Sequence, residues 1–270
     1  MPELPEVETI RRGIAPHVVG RTIQRVVVRE RRLRWPVPAD FARRLEGRRI
    51  EGTDRRGKYL ILDLGGDRLI LHLGMSGRLL LLARGHALRK HDHLDFELDG
   101  DLLLRLNDPR RFGAALLWPA GQPHALLEHL GPEPFSDGFH AQYLFDLSRG
   151  RSAPVKNFLM DGRVVAGVGN IYAVEALFRA AIRPMRQAGR VTRAEYRKLV
   201  KAVRKVLGDA IDAGGTTFRD FRNSDGNPGY FAQKLFVYDR AGEPCRRCKT
   251  PIRRVVIGQR SSYYCSACQH

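Results

Sequence analysis

The sequence predicts an α+β, multidomain chain: a strand-rich N-terminal part with a leading helix, a helical part, and a small closing cysteine module. Three observations carry that reading. Five short apolar runs lie between residues 59 and 106 with no helical pattern between them, which argues for a sandwich or barrel. A long amphipathic stretch runs from Thr192 to Ala213. All four cysteines lie beyond residue 244. At 270 residues and 43% hydrophobic content, the chain has material for one large or two modest cores, and it shows no repeat or low-complexity tract.

Each element has its own signal. After Pro5, the spacing of Val7, Ile10, Ile14 and Val18 predicts a helix that ends at Gly20. Thr22 to Glu30 reads as a strand, and Asp40 to Glu46 as a short helix closed by Gly47. Strands are expected over Tyr59 to Leu64, Leu69 to Leu73, Arg78 to Leu82, Leu94 to Leu98 and Leu102 to Leu106, with Asp99-Gly100 as a hairpin turn. Prolines crowd the stretch from Pro119 to Pro154, whose second half reads as a linker. A helix over Ile171 to Ala181 follows the turn Gly167-Val168-Gly169-Asn170. The next helix opens on a capping box of Thr192 and Glu195 and stops at Gly214-Gly215. A polar loop from Thr216 to Phe231 then leads to the cysteines.

Charge narrows the partners. Lys and Arg outnumber Asp and Glu by 47 to 29, a net charge of +18 that favours a polyanion, nucleic acid first of all. A basic protein of a GC-rich genome, or one associated with ribosomes or membranes, is the alternative on charge alone. No signal-peptide layout or membrane-spanning run is present, so a soluble protein of the cytoplasm, with no membrane partner, is expected.

Several segments carry chemistry. Cys245-x2-Cys248, sixteen intervening residues and Cys265-x2-Cys268 match a structural zinc site against disulfides or free thiols. Four thiolates leave no open position, so one structural Zn2+ is the expected cofactor. Between the pairs, two strands flank Gly258-Gln259-Arg260-Ser261, with a basic residue at the tip. At the chain start, removal of Met1 would leave Pro2 as a secondary amine beside Glu3. An α-amine titrates far below a lysine, and its attack on a sugar C1′ yields an iminium that acidifies C2′. A frayed, inert terminus is the plain alternative.

Lys58 follows Arg55-Arg56-Gly57 where a turn can present its ammonium. The loop Asn107-Asp108-Pro109-Arg110-Arg111-Phe112-Gly113 reads as a charged turn with one packed aromatic, or as a wedge for a vacated base stack. His91-Asp92-His93 lacks a third ligand at a recognisable spacing, which favours backbone or phosphate contact over metal. The Gly167 to Asn170 turn offers backbone N–H groups to a phosphate, although a tight interhelical turn explains it equally well.

Together these residues resemble the bacterial formamidopyrimidine-DNA glycosylases. The shared motifs are Met1-Pro2-Glu3-Leu4-Pro5-Glu6-Val7-Glu8-Thr9, Leu71 to Gly77, Lys90 to His93, Asp108 to Gly113, Gly167 to Tyr172, Ser224 to Tyr230 and the cysteine module, in order along the whole chain. The resemblance implies a β-sandwich with its leading helix (1–135), a helix–two-turn–helix domain (136–231) and a C-terminal β-hairpin zinc finger (232–270), with DNA in a cleft between the halves. It implies excision of oxidised purines and β,δ-elimination by a monomer on damaged double-stranded DNA, in the bacterial cytoplasm at the nucleoid.

Residue by residue, the resemblance makes Pro2 the nucleophile and Glu3 its proton donor. Lys58 assists β-elimination and Arg260 δ-elimination. Met75, Arg110 and Phe112 fill the void, with Arg110 facing the orphaned cytosine. His91 and Arg151 contact DNA, Arg151 standing where the family usually has lysine, and Lys156 and Asn170 meet phosphates. Glu6 and the loop from Thr216 to Phe231 border the flipped lesion. Endonuclease VIII, the pyrimidine-preferring rival, usually has Gly where this chain has Leu4 and usually lacks the Arg110-Arg111-Phe112 pattern. Two other classes stand against the enzyme: a non-catalytic lesion binder, which has no need of Pro2, Glu3 and Lys58, and a structural part of a nucleoprotein machine, which leaves the Asp108 to Gly113 loop unexplained.

Overall fold

The computed structural model describes residues 2–215 and 235–270. These fall into two compact units, one of residues 2–127 with 213–215 and one of 128–212 with 235–270.

The first unit opens with α1 (Leu4–Val18), whose stripe of Leu4, Val7, Ile10, Ile14 and Val18 is buried along its length. Gly20, at φ +84°, releases the chain from the helix. There follow β1 (Ile23–Val28), α2 (Phe41–Leu45), β2 (Gly52–Arg56), β3 (Tyr59–Asp63), β4 (Asp67–His72), β5 (Arg78–Ala83), β6 (Asp92–Leu98), β7 (Leu102–Asn107) and β8 (Ala114–Pro119). All pairings are antiparallel and build two four-stranded sheets, β1-β6-β7-β5 and β2-β3-β4-β8. One core joins them: Ile23, Phe96, Leu104 and Leu106 of the first sheet, Leu60, Leu62, Leu69 and Leu71 of the second, and the α1 stripe. This is the expected β-sandwich with its leading helix. Strand β2 escaped the sequence reading because Gly-Thr-Asp-Arg-Arg has no apolar alternation; pairing with β3 alone makes it a strand.

The second unit contains α4 (Ala141–Ser148), α5 (Val155–Met160), α6 (Asn170–Arg179), α7 (Arg193–Asp212) and the hairpin β9 (Arg253–Ile257) with β10 (Arg260–Tyr264); α3 (Ala125–Glu128) lies at the junction of the two units in sequence. Helix α7 packs on α4 and α6 through Tyr196, Leu199, Val203, Val206 and Leu207, with Ile211 half-buried. Its capping box is formed: Glu195 N donates to Thr192 Oγ1 at 3.2 Å and Thr192 N to Glu195 Oε2 at 2.8 Å.

The proline-rich stretch expected to be a linker is more ordered than its composition suggests. Phe139 and Leu144 are buried, and the Arg204 guanidinium donates to the carbonyls of Pro134, Ser136 and Phe139 at 2.8–3.0 Å. Proline removes a donor but leaves its carbonyl, and one arginine satisfies three carbonyls here.

Buried Glu175 of α6 gathers the segment before the cysteine module, accepting backbone N–H bonds from Phe236, Val237 and Tyr238 at 2.8–3.0 Å. Burial pushes this carboxyl above its ordinary range, and the three backbone donors pull it back. Glu175→Ala would leave those donors unpaired at a cost of about 2–4 kcal/mol. Hydrogen exchange is expected to show protection lost at Phe236–Tyr238 before the rest of the unit, whereas unchanged protection there would contradict the role.

Candidate functional site

Strand register gathers the candidate residues of the first unit at one end of the sandwich. Arg56 pairs with Tyr59, Tyr59 with His72 and His72 with Ala114, so the β2–β3 turn, the exit of β4 and the entry of β8 are neighbours. In the other sheet Arg78 and Asp92 both pair with Asn107. The connections 73–77 and 108–113 both cross from one sheet to the other at this end. Lys58, Met75, His91, Arg110 and Phe112 therefore share one rim, although 54 positions separate the first from the last.

Lys58 stands in a two-residue hairpin turn whose first position, Gly57, has φ +57°, a geometry that suits the twist of the flanking strands. Arg55 ties this turn to α1: Nη1 donates to Gly57 O at 2.9 Å and Nε to Glu8 Oε2 at 3.3 Å. Glu8 also receives Arg11 and Arg12. Burial would raise its carboxyl, but hydrogen bonds from those two guanidinium groups, with Arg55 nearby, hold it down at about 2.

The chain start is anchored. Pro2 is buried, and Glu3 and Glu6 are 1% and 2% exposed. Glu3 N donates to Glu6 Oε2 at 2.8 Å, and Val7 N to Glu3 O at 3.1 Å begins the helix. Glu6 thereby closes the N-terminal turn of α1, a job the sequence reading did not give it. With the α1 stripe in the core, the frayed terminus of the plain alternative is not what this chain has.

The rim loops differ in character. Met75 is half-buried, while Arg110 and Phe112 are exposed, with the guanidinium 4.6 Å from the ring centroid. Arg32, Arg34, Arg110, Arg111 and Phe112 line an open hollow of about 580 Å³, a recess of four cations and one aromatic ring. In the His91-Asp92-His93 segment, His93 Nε2 lies 2.8 Å from Asp108 O. Asp92 accepts from Arg89 N and Asn107 Nδ2, both at 2.8 Å, and pairs with Arg105 at 3.2 Å. His91 is half-buried at φ +73°, its ring centroid 6.1 Å from that of His93.

In the second unit the candidates converge on the hairpin. Its turn is Gly258-Gln259, both with positive φ, and exposed Arg260 opens the returning strand opposite Ile257. Fully buried Lys156 donates to Ile257 O at 3.3 Å, and Asn170 Nδ2 to Ser261 O at 2.9 Å. Both hold the carbonyls on either side of the tip, a structural task in addition to the phosphate contact expected of them. The Oδ1 atom of Asn170 is buried with no partner among the described residues. Arg151 is exposed, its Nε on Leu147 O at 2.8 Å and its guanidinium 5.5 Å from the Phe158 ring. The loop from Thr216 to Phe231 lies outside the described residues.

The sulfurs of Cys245, Cys248, Cys265 and Cys268 all lie within 4.8 Å of one another, as free thiols. The spacing suits four thiolates around one metal ion, and the 3.4 Å between Cys248 and Cys265 is far from a disulfide bond length. Buried Gln269 braces the second pair, accepting from Cys265 N at 2.9 Å and donating to Ile182 O at 2.8 Å. Among the described residues no helix is long and apolar enough to cross a membrane.

Sequence reasoning passed over His72, Arg55, Arg32 and Arg34. His72 lies within the Leu71 to Gly77 motif without being singled out there, and the side chains of all four gain meaning only from strand pairing and loop approach. Arg34 N donates to Gly113 O at 3.0 Å, which lays its segment along the Arg110 to Phe112 loop.

Family models match three stretches: the formamidopyrimidine-DNA glycosylase N-terminal domain over residues 1–115, its H2TH domain over 130–222, and a zinc finger found in FPG and IleRS over 242–270. The chain is 58% identical over 271 residues to a formamidopyrimidine-DNA glycosylase of Methylococcus capsulatus, covering 100% of both chains. It is 56% identical over 269 residues to one of Stenotrophomonas maltophilia, again covering 100% of both. Among solved structures, the MutM (Fpg) protein of Thermus thermophilus has 42% identity and a TM-score of 0.88, over 99% of this chain and 98% of that one. The Lactococcus lactis Fpg in complex with DNA containing an abasic site has 34% identity and a TM-score of 0.92, over 100% of each.

The rim sets the charge state of His72. Burial first, then the cations of Lys58 and Arg34, lower its pKa to about 4, with Asp108 opposing. His72 is neutral at pH 7, and its Nδ1 accepts from Gly74 N at 3.1 Å. Because the folded value lies below the unfolded 6.5, stability is expected to fall as pH drops from 6.5 towards 4. A proton NMR titration is expected to place the midpoint near 4, and Lys58→Met to raise it. A midpoint of 6.5 would refute the arrangement.

Proposed function

The chain belongs to the formamidopyrimidine-DNA glycosylases, and from that membership we propose how its residues perform the family's reaction. It is a bifunctional glycosylase and AP lyase of base-excision repair, acting on oxidised purines in damaged double-stranded DNA. The Lactococcus lactis relatives bound to Fapy-dG and to abasic DNA support this reading. The observation that carries the chemistry is the anchored chain start: a buried Pro2 followed by buried Glu3, on a helix locked into the core.

Once Met1 is removed, the Pro2 nitrogen attacks C1′ of the flipped nucleotide and the glycosidic bond breaks. Glu3 serves as proton donor, and the oxidised base departs. Cleavage of the C1′–O4′ bond, with a proton passing to O4′, then opens the sugar and leaves an iminium that draws electron density from C2′. Loss of a C2′ proton, assisted by Lys58, expels the 3′ phosphate, and Arg260 serves the second elimination at the 5′ side. Glu6 borders the extruded base as well as capping α1.

Extruding a base costs a few kcal/mol, which insertion of Met75, Arg110 and Phe112 offsets, with Arg110 opposite the orphaned cytosine. His91, Arg151, Lys156 and Asn170 contact the backbone and contribute a salt-dependent affinity. Residues 1–135 would carry the nucleophile and wedge, 136–231 the H2TH contacts and 232–270 the zinc-finger hairpin. Four thiolates make a structural zinc ion the group that fits the cysteine cluster; it would brace the base of the hairpin that presents Arg260. We place the protein in the bacterial cytoplasm, at the nucleoid, acting as a monomer.

Borohydride reduction during reaction with duplex containing 8-oxoguanine is expected to trap a protein–DNA adduct through Pro2. Pro2→Gly is expected to abolish it. No adduct from protein lacking Met1 would instead identify a non-catalytic lesion binder. Chelation of the metal is expected to unfold the hairpin and remove DNA binding and nicking together. Full nicking by metal-free protein would contradict the bracing role.

A further inference from the structure

We propose that Asp108 is a positioning residue that makes the Met75 turn and the Arg110 to Phe112 loop a single wedge. The inference rests on the reading above, in which both segments fill the space left by the flipped nucleotide.

Asp108 is fully buried. Its Oδ1 accepts from Ser76 Oγ at 2.8 Å and from Arg110 N at 3.3 Å, and its Oδ2 from Gly113 N at 2.7 Å. Ser76 Oγ in turn receives Arg110 N at 3.3 Å. A local turn-capping aspartate would account for the bonds to Arg110 and Gly113. It would not account for Ser76, which lies in the other crossover, 32 positions away. The main chain of Asp108 binds the third rim segment, its N–H donating to His91 O at 3.0 Å and its carbonyl lying 2.8 Å from His93 Nε2.

The two crossovers also touch through backbone. A Cβ built on Gly74 would lie 2.4 Å from the carbonyl carbon of Phe112, and one on Gly113 would lie 2.8 Å from His72 O. Glycine is required because main chain meets main chain. Arg111, at φ +57°, and His91, at φ +73°, hold left-handed conformations that non-glycine residues adopt only when their surroundings enforce them. Two independently mobile loops would each lose conformational freedom on entering DNA. Locked through one carboxylate, they enter already ordered.

The test is a double-mutant cycle on single-turnover excision of 8-oxoguanine opposite cytosine. Met75→Ala and Arg110→Ala are made singly and together, in the native chain and in Asp108→Asn. An Asn side chain replaces one carboxylate oxygen with an NH2 that cannot accept, so either Gly113 N or the pair of Ser76 Oγ–H and Arg110 N loses its acceptor. In the native background the double variant is expected to lose about tenfold less rate than the product of the two single losses. In Asp108→Asn the losses are expected to multiply.

A purely structural role would lower the melting temperature and slow every variant alike while the non-additivity persists; that result overturns the proposal. Simple multiplication in the native background overturns it too. If neither single variant slows excision, the wedge reading itself falls and takes the proposal with it. Should Asp108→Asn fail to fold, Ser76→Ala, which cuts only the link between the crossovers, is expected to reduce the non-additivity about threefold. Unchanged non-additivity in that variant overturns the proposal.

Discussion

The pairing of β4 with β8 and of β5 with β7 is the constraint on which the candidate site depends. Antiparallel register leaves no freedom here: with His72 opposite Ala114 and Arg78 opposite Asn107, both sheet-to-sheet crossovers must leave from the same end. The β2–β3 turn and the entry of β6 are brought to that end by the same ladders. A slip of one residue in either sheet would turn core leucines outward, so burial of the sandwich core enforces the rim indirectly. The site is thus as well determined as the hydrophobic core beneath it.

Arginine excess is used in two ways in this chain. Some guanidinium groups line the open hollow beside Phe112 and give it a field of positive sign. Others organise buried carboxylates. Asp95 receives Arg105 at 2.7 and 2.8 Å and Arg29 at 2.7 Å, and Glu8 receives Arg11, Arg12 and Arg55. Glu175 is held chiefly by backbone N–H groups, with the Arg179 charge acting at longer range. An unpaired buried carboxylate would be far costlier than a paired one, and each of these acids is met by donors from another part of the chain. The count of 47 Lys and Arg therefore overstates what is free to attract DNA, whereas the net charge of +18 already subtracts the 29 acids.

Much of the fold was legible because its periodicities are local. The α1 stripe, the α7 stripe with its capping box, and the paired Cys-x2-Cys spacings all report on neighbouring residues, and the structure carries each of them. Strand β2 and helices α4 and α5 were not legible. The first is polar and becomes a strand through its partner, and the others lie in or beside a proline-rich stretch ordered by Arg204 from a distant helix. Lys156 and Asn170 show the same limit in the site. Their types and motif suggested phosphate ligands, yet where their donors point depends on a hairpin about 90 to 100 positions further on.

What the sequence determined by itself was the inventory: a sandwich-forming strand pattern, a metal-binding cysteine quartet, a basic surface, and a proline–glutamate pair at the head of an amphipathic helix. These follow from short-range spacing and side-chain chemistry, which a linear chain displays directly. Tertiary structure alone decided that five scattered residues share one rim, that His72 is neutral, and that Asp108 joins three loops. Those outcomes rest on register, burial and local electric field. Each of the three is set by atoms remote in sequence and cannot exist before the chain has folded.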